Sequence, residues 1–585
     1  MARAILEGVP VSPGVAIAPL KILGDSYLYE KRSIDADEVE SEIAAINSAS
    51  DKVRANLQKT IDSIPDALAD YKDIVAAQME LARDPRIIQS AITRVNHLKI
   101  CAAQALSITI EELAAMFQDT DNPYLRERAR DVRAIGRALG RALPGQEFAR
   151  REINGGVVAA RDVSPADMME FSSQGLVTVD GGPASHTAIL ARGLKVPAVV
   201  GVSRLFEEAR QGEIAIIDGL SGVILLSPDE DDIEKYKNVG NNYRRFTQKA
   251  KLSAGSPAIC LDGRLVGVSA NLETPFEATD LDQYGAESVG LYRTEFSFLN
   301  GDRLPTEEEL VAEYSQALAS GKPVVFRVLD VGADKLTSAQ KATREPNPAL
   351  GARGVRFCFL HGDIFRLQLR AILRASAERE ASLLLPMITA PWEIKAAKEI
   401  IRETERELAS QNLPRAENLP LGAMIETPAA AVICDILASE CDFLSLGTND
   451  LLHYLLAIDR NNAQLAHLYD PLHPAFLRIL RDSINLAHKK GIKISVCGEL
   501  AADPLGIPLL VGLGVDSLSA APRYIPAIKQ IIRNLDAERT GAIINEALEK
   551  DDFYQIKNSF RDTLSSFVET GVLPYNYNIT AYNRL

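Results

Sequence analysis

Several features that identify whole classes of protein are missing from this sequence. No run of about 18 consecutive apolar residues occurs, so we expect no membrane insertion. The opening residues, MARAILEGVPVSPG, lack the charged and apolar regions of a signal peptide. None of the six cysteines forms a C-x-x-C pair, which argues against a zinc or dithiol motif. Cysteines scattered through a chain of this size fit a reducing compartment, and we expect a cytoplasmic protein.

Basic residues are in the minority. The chain has 64 Lys and Arg residues against 79 Asp and Glu, for a formal net charge of −15. A surface of this sign repels a phosphate backbone, so nucleic acid is not expected as a partner. The 46% hydrophobic and 24% charged content is ordinary for a globular protein, but 585 residues are too many for one core. We therefore expect several domains.

The first 260 residues alternate between β-rich and helical patterns. Residues 1–25 and 146–227 contain short apolar runs punctuated by Gly and Pro, which predict one α/β domain. The intervening residues 26–145 carry apolar side chains at helical spacing and predict a helical subdomain inserted into that domain. Residues 228–260 begin with a strongly polar run and predict a helical linker between the two halves of the chain.

The second half, residues 261–585, alternates apolar runs rich in β-branched residues with helical segments. Eight strands that alternate with helices predict a C-terminal (β/α)8 barrel, with a doubly wound open sheet as the alternative. The predicted strands are Leu265–Asn271, Ser288–Arg293, Val324–Asp330, Leu383–Ile388, Leu421–Glu426, Phe443–Asp450, Ile492–Cys497 and Val515–Ser519.

The run GGPASHTAILAR, residues 181–192, contains a histidine in an unusual place. It follows a predicted strand, Gly175–Asp180, and the glycine pair permits a sharp turn. Ser185 is the expected N-cap of the next helix, which places His186 at a helix N-terminus, where a negative group is stabilised. A phosphoryl group carried on the imidazole suits this position. The alternative interpretation is a helix start that contains a histidine by chance.

Polar side chains gather at the carboxyl ends of the predicted barrel strands, which is the face where barrels place their active sites. A structural network of buried ion pairs is the alternative explanation. The residues concerned are Asn271, Arg293, Arg327, Asp330, Glu426, Asn449, Asp450 and Cys497.

These residue types favour a small, phosphorylated carboxylate as the ligand. Arg293 and Arg327, with Arg460 further along, offer planar forks for phosphate and carboxylate oxygens. Glu426 and Asp450 are hard oxygen donors, and two carboxylates completed by substrate oxygens and water are the usual way in which Mg2+ is bound.

Cys497 follows a predicted strand in the sequence SVCGEL. Its thiol is a candidate acid toward an enolate, and the alternative is a buried core residue. Together with a histidine on another domain, this set predicts phosphoryl transfer from the substrate to the imidazole of His186.

Ten motifs are distributed along nearly the whole chain. They are GVPVSPGVAIA, NPYLRERARDVRAIGR, GGPASHTAILARGLKVPAVVG, GLYRTEFSFL, FRVLDVGADK, NPALGARGVR, MIETPAAAVI, LGTNDLLHYLLAIDRNN, LYDPLHPA and CGELAADP. In this order they resemble Enzyme I of the sugar phosphotransferase system, the phosphoenolpyruvate-protein phosphotransferase family. The number of separate motifs in the same order makes chance similarity very improbable.

The resemblance implies a role for each matched residue in making pyruvate and a phosphohistidine from phosphoenolpyruvate. The implied roles are phosphoryl acceptor for His186, phosphoenolpyruvate binding for Arg293, Arg327 and Arg460, phosphate contact for Asn449, Mg2+ ligation for Glu426 and Asp450, and protonation of the enolate for Cys497.

The resemblance also implies partners. The helical insert would bind HPr, a small carrier that receives the phosphoryl group on its own histidine in the first step of sugar uptake, and the barrel half would form a homodimer. Three alternatives stay open: a nitrogen-type regulatory phosphotransferase with a different carrier, an enzyme similar to the pyruvate-phosphate dikinases but without their nucleotide domain, and a scaffold that has lost turnover.

The chain departs from the family pattern at a few positions. Pro183 and Ala184 stand where the family commonly has Arg and Thr, and Met168 replaces a hydroxyl residue that orients the imidazole. Gln78 replaces a common histidine, and residues 573–585 differ from the usual ending. These departures concern the tautomer of His186 and the identity of the carrier.

Overall fold

The protein is described by a computed structural model, and its residues fall into two compact units, Met1–Asn241 and Asn242–Leu585. No helix in the described part of the chain has the length and apolar character needed to cross a bilayer. The structure describes residues 3–23, 32–63, 69–118, 123–144, 154–163, 172–182, 185–299, 303–331, 347–459, 465 and 468–569.

The first unit is built on an eight-stranded mixed sheet that joins two distant parts of the sequence. Its order is β1-β8-β7-β3-β4-β5-β6-β2, with parallel pairing from β3 through β6. The strands are β1 Ala4–Glu7, β2 Val9–Ser12, β3 Val15–Ile22, β4 Asn154–Ala160, β5 Ser172–Thr178, β6 Ala198–Val200, β7 Ile214–Asp218 and β8 Val223–Leu226.

Both faces of this sheet are covered. On β4, Val157 and Ala159 enter one core while Val158 and Ala160 enter the other, as the two-residue period of a strand requires. Five helices between β3 and β4 contribute to the second core. They are Val39–Ser63, Ala69–Leu81, Pro85–Leu98, Ala102–Gln118 and Pro123–Ala142, and the shorter helices His186–Leu194 and Leu205–Glu208 follow β5 and β6.

The helix Pro85–Leu98 illustrates how the sequence specifies this helical part. Asp84 caps its start by accepting a hydrogen bond from the Arg86 amide, and Pro85 occupies the first helical position, where no amide hydrogen is needed. Its buried side chains recur at helical spacing, so one face packs inward. These are Ile87, Ile88, Ala91 and Val95.

The helix Glu230–Leu252 crosses the boundary between the two units. Its first turn is acidic and its last turn carries Lys249 and Lys251. This distribution of charge complements the helix dipole at both ends. The helix coincides with the strongly polar run that predicted a helical linker. The bounds predicted for the individual domains stay a prediction.

The second unit is a closed barrel of eight parallel strands, which confirms the predicted (β/α)8 architecture and excludes the open sheet. β9 pairs with both β10 and β16 and closes the ring. Each predicted apolar run contains or overlaps one strand. The strands are β9 Gly267–Leu272, β10 Val289–Arg293, β11 Val324–Arg327, β12 Ala381–Leu385, β13 Leu421–Ile425, β14 Phe443–Leu446, β15 Ile494–Val496 and β16 Ser517–Ala520.

Helices cover the outside of the barrel. They are Leu281–Tyr284, Phe296–Leu299, Glu307–Ala317, Val355–Leu360, Gly362–Ala375, Pro391–Ser410, Pro428–Val432, Cys434–Ala438, Thr448–Leu456, Pro474–Lys489, Gly506–Leu513, Ile525–Ile532, Ala537–Leu548 and Phe553–Glu569. Because every strand is parallel, all eight carboxyl ends meet at one rim. Inside the barrel, Leu291, Leu384, Met424 and Cys497 form a small separate cluster.

Two glycines with nearly the same backbone conformation provide a test of the packing under the barrel helices. Gly285 has φ +70°, and an added Cβ would lie 1.9 Å from the Ala254 carbonyl oxygen. Gly321 has φ +71°, and an added Cβ would meet no atom of the described residues within 4 Å. We expect Gly321→Ala to cost only the left-handed strain, about 1–2 kcal/mol of unfolding free energy. Gly285→Ala adds the clash, about 1–3 kcal/mol more.

Urea unfolding of the two variants, followed through the barrel transition, measures this difference. Equal destabilisation by both substitutions would contradict the close approach at Gly285.

Candidate active site

The helix that carries His186 begins as the sequence predicts. Ser185 has an extended backbone, and its Oγ accepts a hydrogen bond from the Ala188 amide at 3.3 Å, which makes it the N-cap. His186 is therefore the first residue of the helix His186–Leu194. The next residue, Thr187, is buried and donates its hydroxyl to Asp162 Oδ1 at 2.7 Å. This bond, which the sequence analysis did not foresee, ties the helix start to the end of β4.

Four other residues that the sequence singled out lie outside the described residues. These are Arg460, Met168, Pro183 and Ala184. Gln78 is described: it is buried in the helix Ala69–Leu81, and its Oε1 has no hydrogen-bond partner among the described residues.

The remaining predicted residues of the barrel lie on or just after six of its eight strands, β9 to β11 and β13 to β15, at the carboxyl rim. Arg293 ends β10 and Arg327 ends β11, and the two residues are direct partners in the parallel ladder. Glu426 follows β13 immediately. Asn449 and Asp450 lie in the first turn of the helix after β14. Cys497 follows β15, so the fold brings this set to one face of the barrel.

Arg327 is an almost buried guanidinium held between two carboxylates. Its Nη2 donates to Glu295 Oε1 at 2.9 Å, and its Nη1 lies 3.0 Å from Asp330 Oδ2. Burial alone would lower the pKa of Arg327, but Glu295 and Asp330 raise it well above its ordinary value. The side chain is therefore a permanent cation at the rim. Its Nε is buried and has no hydrogen-bond partner among the described residues.

Arg353 belongs to the same network, although the sequence analysis gave it no role. Its Nε and Nη2 form a two-point pair with Asp330 at 3.1 and 2.9 Å. The same Nη2 also reaches Asp450 Oδ2 at 3.3 Å, and Nη1 donates to the Tyr454 hydroxyl at 3.3 Å. Arg353 lies within the motif NPALGARGVR, which is the only sequence signal that pointed to it.

Glu426 is a buried carboxyl group, 1% exposed. Its Oε1 accepts a hydrogen bond from the Met387 amide at 2.6 Å. Burial, and then the carboxylates of Asp330 and Asp450, raise the pKa of Glu426 to about 8, against the opposing charge of Arg327. Glu426 thus lies in a place with excess negative charge.

This excess of negative charge fits a divalent cation. Glu426 and Asp450 supply hard oxygen donors, and a cation beside them would relieve the repulsion that raises the Glu426 pKa. Within the described part of the chain, no group of three or more His, Cys, Asp or Glu side chains is arranged to hold a metal ion. An ion held by these two carboxylates would therefore need further ligands from a substrate or from water, which is the coordination that Mg2+ commonly adopts.

Arg293 occupies the more open side of the site. Its side chain is 40% exposed and pairs with Glu273, which follows β9. An exposed pair of this kind contributes little to stability, so the guanidinium is available to a competing anion at small cost. Arg293 and Arg327 therefore offer one accessible and one deeply held cation on adjacent strands.

Cys497 is buried, 5% exposed, and both its side chain and its backbone form hydrogen bonds with other strands of the barrel. Its Sγ accepts a hydrogen bond from Ser445 Oγ at 3.3 Å, and its carbonyl oxygen accepts one from Asn271 Nδ2 at 2.9 Å. Burial raises the pKa of the Cys497 thiol, with Glu426 adding to the effect and Arg327 opposing it. The thiol therefore keeps its proton at neutral pH and can serve as a proton donor.

Comparison with known families identifies three matching regions. The models of the phosphoenolpyruvate-utilising enzymes match with their N-terminal domain over residues 7–128, their mobile domain over residues 153–222 and their phosphoenolpyruvate-binding domain over residues 247–537.

Proteins named phosphoenolpyruvate-protein phosphotransferase are similar over almost the whole chain. The protein from Staphylococcus aureus (strain MRSA252) is 34% identical over 570 residues, which cover 95% of this chain and 99% of the relative. The Staphylococcus carnosus protein is 34% identical, covering 93% and 96%. The Listeria innocua protein is 35% identical, covering 93% and 96%.

The raised pKa of Glu426 predicts a specific pH dependence of stability in the absence of divalent ions. The folded protein binds this proton more tightly than the unfolded chain, whose Glu pKa is about 4.3. The stabilisation from this proton is complete below that value and is lost as the pH rises through about 8. Removing the titrating group with Glu426→Gln should flatten the profile by up to about 1.4 kcal/mol per pH unit.

Urea unfolding of the wild type and of Glu426→Gln in a chelating buffer, from about pH 5.5 to 8.5, checks this expectation. Parallel profiles for the two proteins would show that Glu426 titrates at its ordinary pKa.

Proposed function

The chain belongs to the phosphoenolpyruvate-protein phosphotransferase family, and from this premise we propose that its barrel binds phosphoenolpyruvate while His186 accepts the phosphoryl group and passes it to a carrier. The protein is a phosphoenolpyruvate-utilising enzyme of the phosphotransferase system, and we propose that it serves sugar uptake. The observation that supports the proposed site most strongly is the pair of arginines, Arg327 and Arg353, at the barrel rim. Arg353 pairs directly with Asp450, and the charges of Arg327 and Asp450 both act on Glu426.

The arginines are suited to the two anionic groups of phosphoenolpyruvate. A guanidinium group binds phosphate or carboxylate oxygens in a two-point fork, as Arg353 does with Asp330. We assign the substrate to Arg293, Arg327 and Arg460, and we add Arg353 on the basis of its position. In the structure Arg327 and Arg353 pair with Glu295, Asp330 and Asp450. The substrate's oxygens would compete with these carboxylates for hydrogen bonds from the same guanidinium groups.

Glu426 and Asp450 are the proposed Mg2+ ligands. When bound, Mg2+ neutralises negative charge that develops on the substrate's oxygens. The two protein carboxylates would hold the ion together with oxygens of the substrate and of water, so binding of the ion and of the substrate would depend on each other.

Phosphoryl transfer requires little covalent chemistry from the protein, because its transition state is loose. Catalysis therefore depends mainly on aligning the reacting atoms and neutralising charge. The neutral imidazole of His186 attacks phosphorus, and the bond between phosphorus and the enol oxygen breaks with its electron pair on that oxygen. Imidazole titrates near pH 6.5, so it is mostly neutral at pH 7. We assign the Asn449 amide as a hydrogen-bond donor to the phosphoryl oxygens. The N-terminus of the helix capped by Ser185 stabilises the negative charge of the phosphohistidine.

Cys497 is the proposed acid of the second step. The enolate collapses to a ketone, and its C3 carbon takes the proton of the Cys497 thiol to complete the methyl group of pyruvate. The electron pair of the S–H bond stays on sulfur, and solvent returns a proton to the thiolate after pyruvate leaves. The burial that keeps the thiol protonated also makes the thiolate a transient species.

Two separate sites require a moving domain and a partner. We propose that the domain of residues 1–25 and 146–227 carries His186 between the barrel and a small HPr-like carrier docked on the insert, residues 26–145. The linker of residues 228–260 would permit this motion, and residues 261–585 would form a homodimer. A chain with a net charge of −15 favours a carrier that presents a basic surface. We place the transfer of the phosphoryl group to this carrier in the cytoplasm.

His186→Ala should separate binding from transfer. We expect no phosphorylation of this variant by phosphoenolpyruvate, because the nucleophile is gone. Binding of phosphoenolpyruvate to the barrel, measured by calorimetry with Mg2+, should stay within about twofold of the wild type because the barrel residues are intact. A variant that no longer binds phosphoenolpyruvate would contradict two separate sites.

Cys497→Ala should slow pyruvate formation by about 100-fold or more, as expected for loss of a positioned acid. Mg2+ binding should be unchanged, because Glu426 and Asp450 remain in place. Ser495→Ala is a matched control: it removes a hydroxyl from the same strand, and that hydroxyl donates to the Leu444 carbonyl oxygen. Normal pyruvate release from Cys497→Ala would remove Cys497 from the mechanism.

A further inference from the structure

Asn449 and Glu499 form a two-point hydrogen-bonded pair at the barrel rim. Asn449 Nδ2 donates to Glu499 Oε1 at 3.2 Å, and the Glu499 amide donates back to Asn449 Oδ1 at 2.9 Å. The two residues follow neighbouring strands, β14 and β15. The pair therefore joins two separate loops of the proposed site.

This pairing determines which way round the Asn449 amide can lie. A primary amide has an oxygen that only accepts and a nitrogen with two hydrogens that only donate. If the Asn449 amide were turned over, its nitrogen would face the Glu499 N–H and its oxygen would face the Glu499 carboxylate. Both contacts would then be repulsive. With the oxygen turned toward the Glu499 amide and one hydrogen engaged, the second N–H is the donor left for an anionic ligand.

The backbone of the two loops is also packed closely enough to preserve this geometry. A Cβ at Gly498 would lie 1.9 Å from Thr448 Oγ1, so only glycine permits the observed approach of the loops. On the other side, the Tyr469 hydroxyl donates to the Asn449 carbonyl oxygen at 2.9 Å. Cys497 is the residue immediately before Gly498, so the same contact links the proposed acid to the loop of Asn449.

We propose that Glu499 is a positioning residue for Asn449, whose amide it holds so that an anionic ligand meets an N–H donor and never the amide oxygen. This inference rests on the proposed function, in which Asn449 contacts the phosphoryl group. Phosphoryl oxygens accept hydrogen bonds, so an amide with free rotation would present a repulsive oxygen part of the time. Glu499 acts through Asn449 and needs no contact with the substrate.

A double-mutant cycle tests this relation. Phosphorylation of the full-length protein by phosphoenolpyruvate is measured in the wild type, Glu499→Ala, Asn449→Ala and the variant with both substitutions. Glu499→Ala should lower kcat/KM about three- to tenfold, the effect of one hydrogen bond. Asn449→Ala should cost more, and adding Glu499→Ala to it should cost nothing further. Glu499→Gln, which keeps an acceptor oxygen, should stay within about twofold of the wild type.

Glu417→Ala is the charge control, because Glu417 is an exposed carboxylate, pairs with Arg415 and precedes β13 at the opposite end of the barrel. It should match the wild type. Multiplicative losses in the double variant, or a Glu499→Gln protein as impaired as Glu499→Ala, would overturn the positioning role while leaving the proposed function intact. A wild type that phosphoenolpyruvate does not phosphorylate would instead overturn the proposed function, and this inference with it.

Discussion

Asp330 is the carboxylate around which the charged side chains of the barrel rim are organised. It is almost completely buried, and it pairs with two guanidinium groups, those of Arg327 and Arg353. A buried charge is tolerated only when it is paired, and removing one partner leaves the others uncompensated. The backbone amide of Asp330 is held in turn by Glu295. The positions of both arginines, and through Arg353 that of Asp450, therefore depend on this one side chain.

The sequence left two explanations open for the polar side chains at the barrel rim, a structural ion-pair network and a substrate site. The same side chains serve both. The arginines are paired with protein carboxylates, as the structural explanation requires. The charges do not balance locally, however, since Glu426 lies where Asp330 and Asp450 raise its pKa. A site with buried arginines on one side and crowded carboxylates on the other accommodates an anion and a cation together. Phosphoenolpyruvate with Mg2+ is such a pair, and the family to which the chain belongs uses phosphoenolpyruvate.

Much of the fold could be predicted because local patterns determine it. Eight apolar runs became eight strands, and Ser185 caps the helix of His186 by a bond within three residues. Residues directly at strand ends, such as Arg327 and Glu426, could therefore be placed at the rim from the sequence. Arg353 was not assigned a role because it follows no strand, and its pairing with Asp330 arises from residues 23 positions apart that only the folded barrel brings together. Glu499 follows β15, but its pairing with Asn449, 50 positions away, likewise exists only in the folded barrel.

The most direct test of the account is to follow phosphorus from the donor to its final side chain. The full-length protein is incubated with Mg2+ and phosphoenolpyruvate labelled in its phosphoryl group, quenched in alkali and mapped by mass spectrometry, with pyruvate measured in parallel. We expect label on His186 alone, stable to base and labile to acid, with one pyruvate released for each phosphoryl group bound. Absence of label, or label on any other side chain, would contradict it.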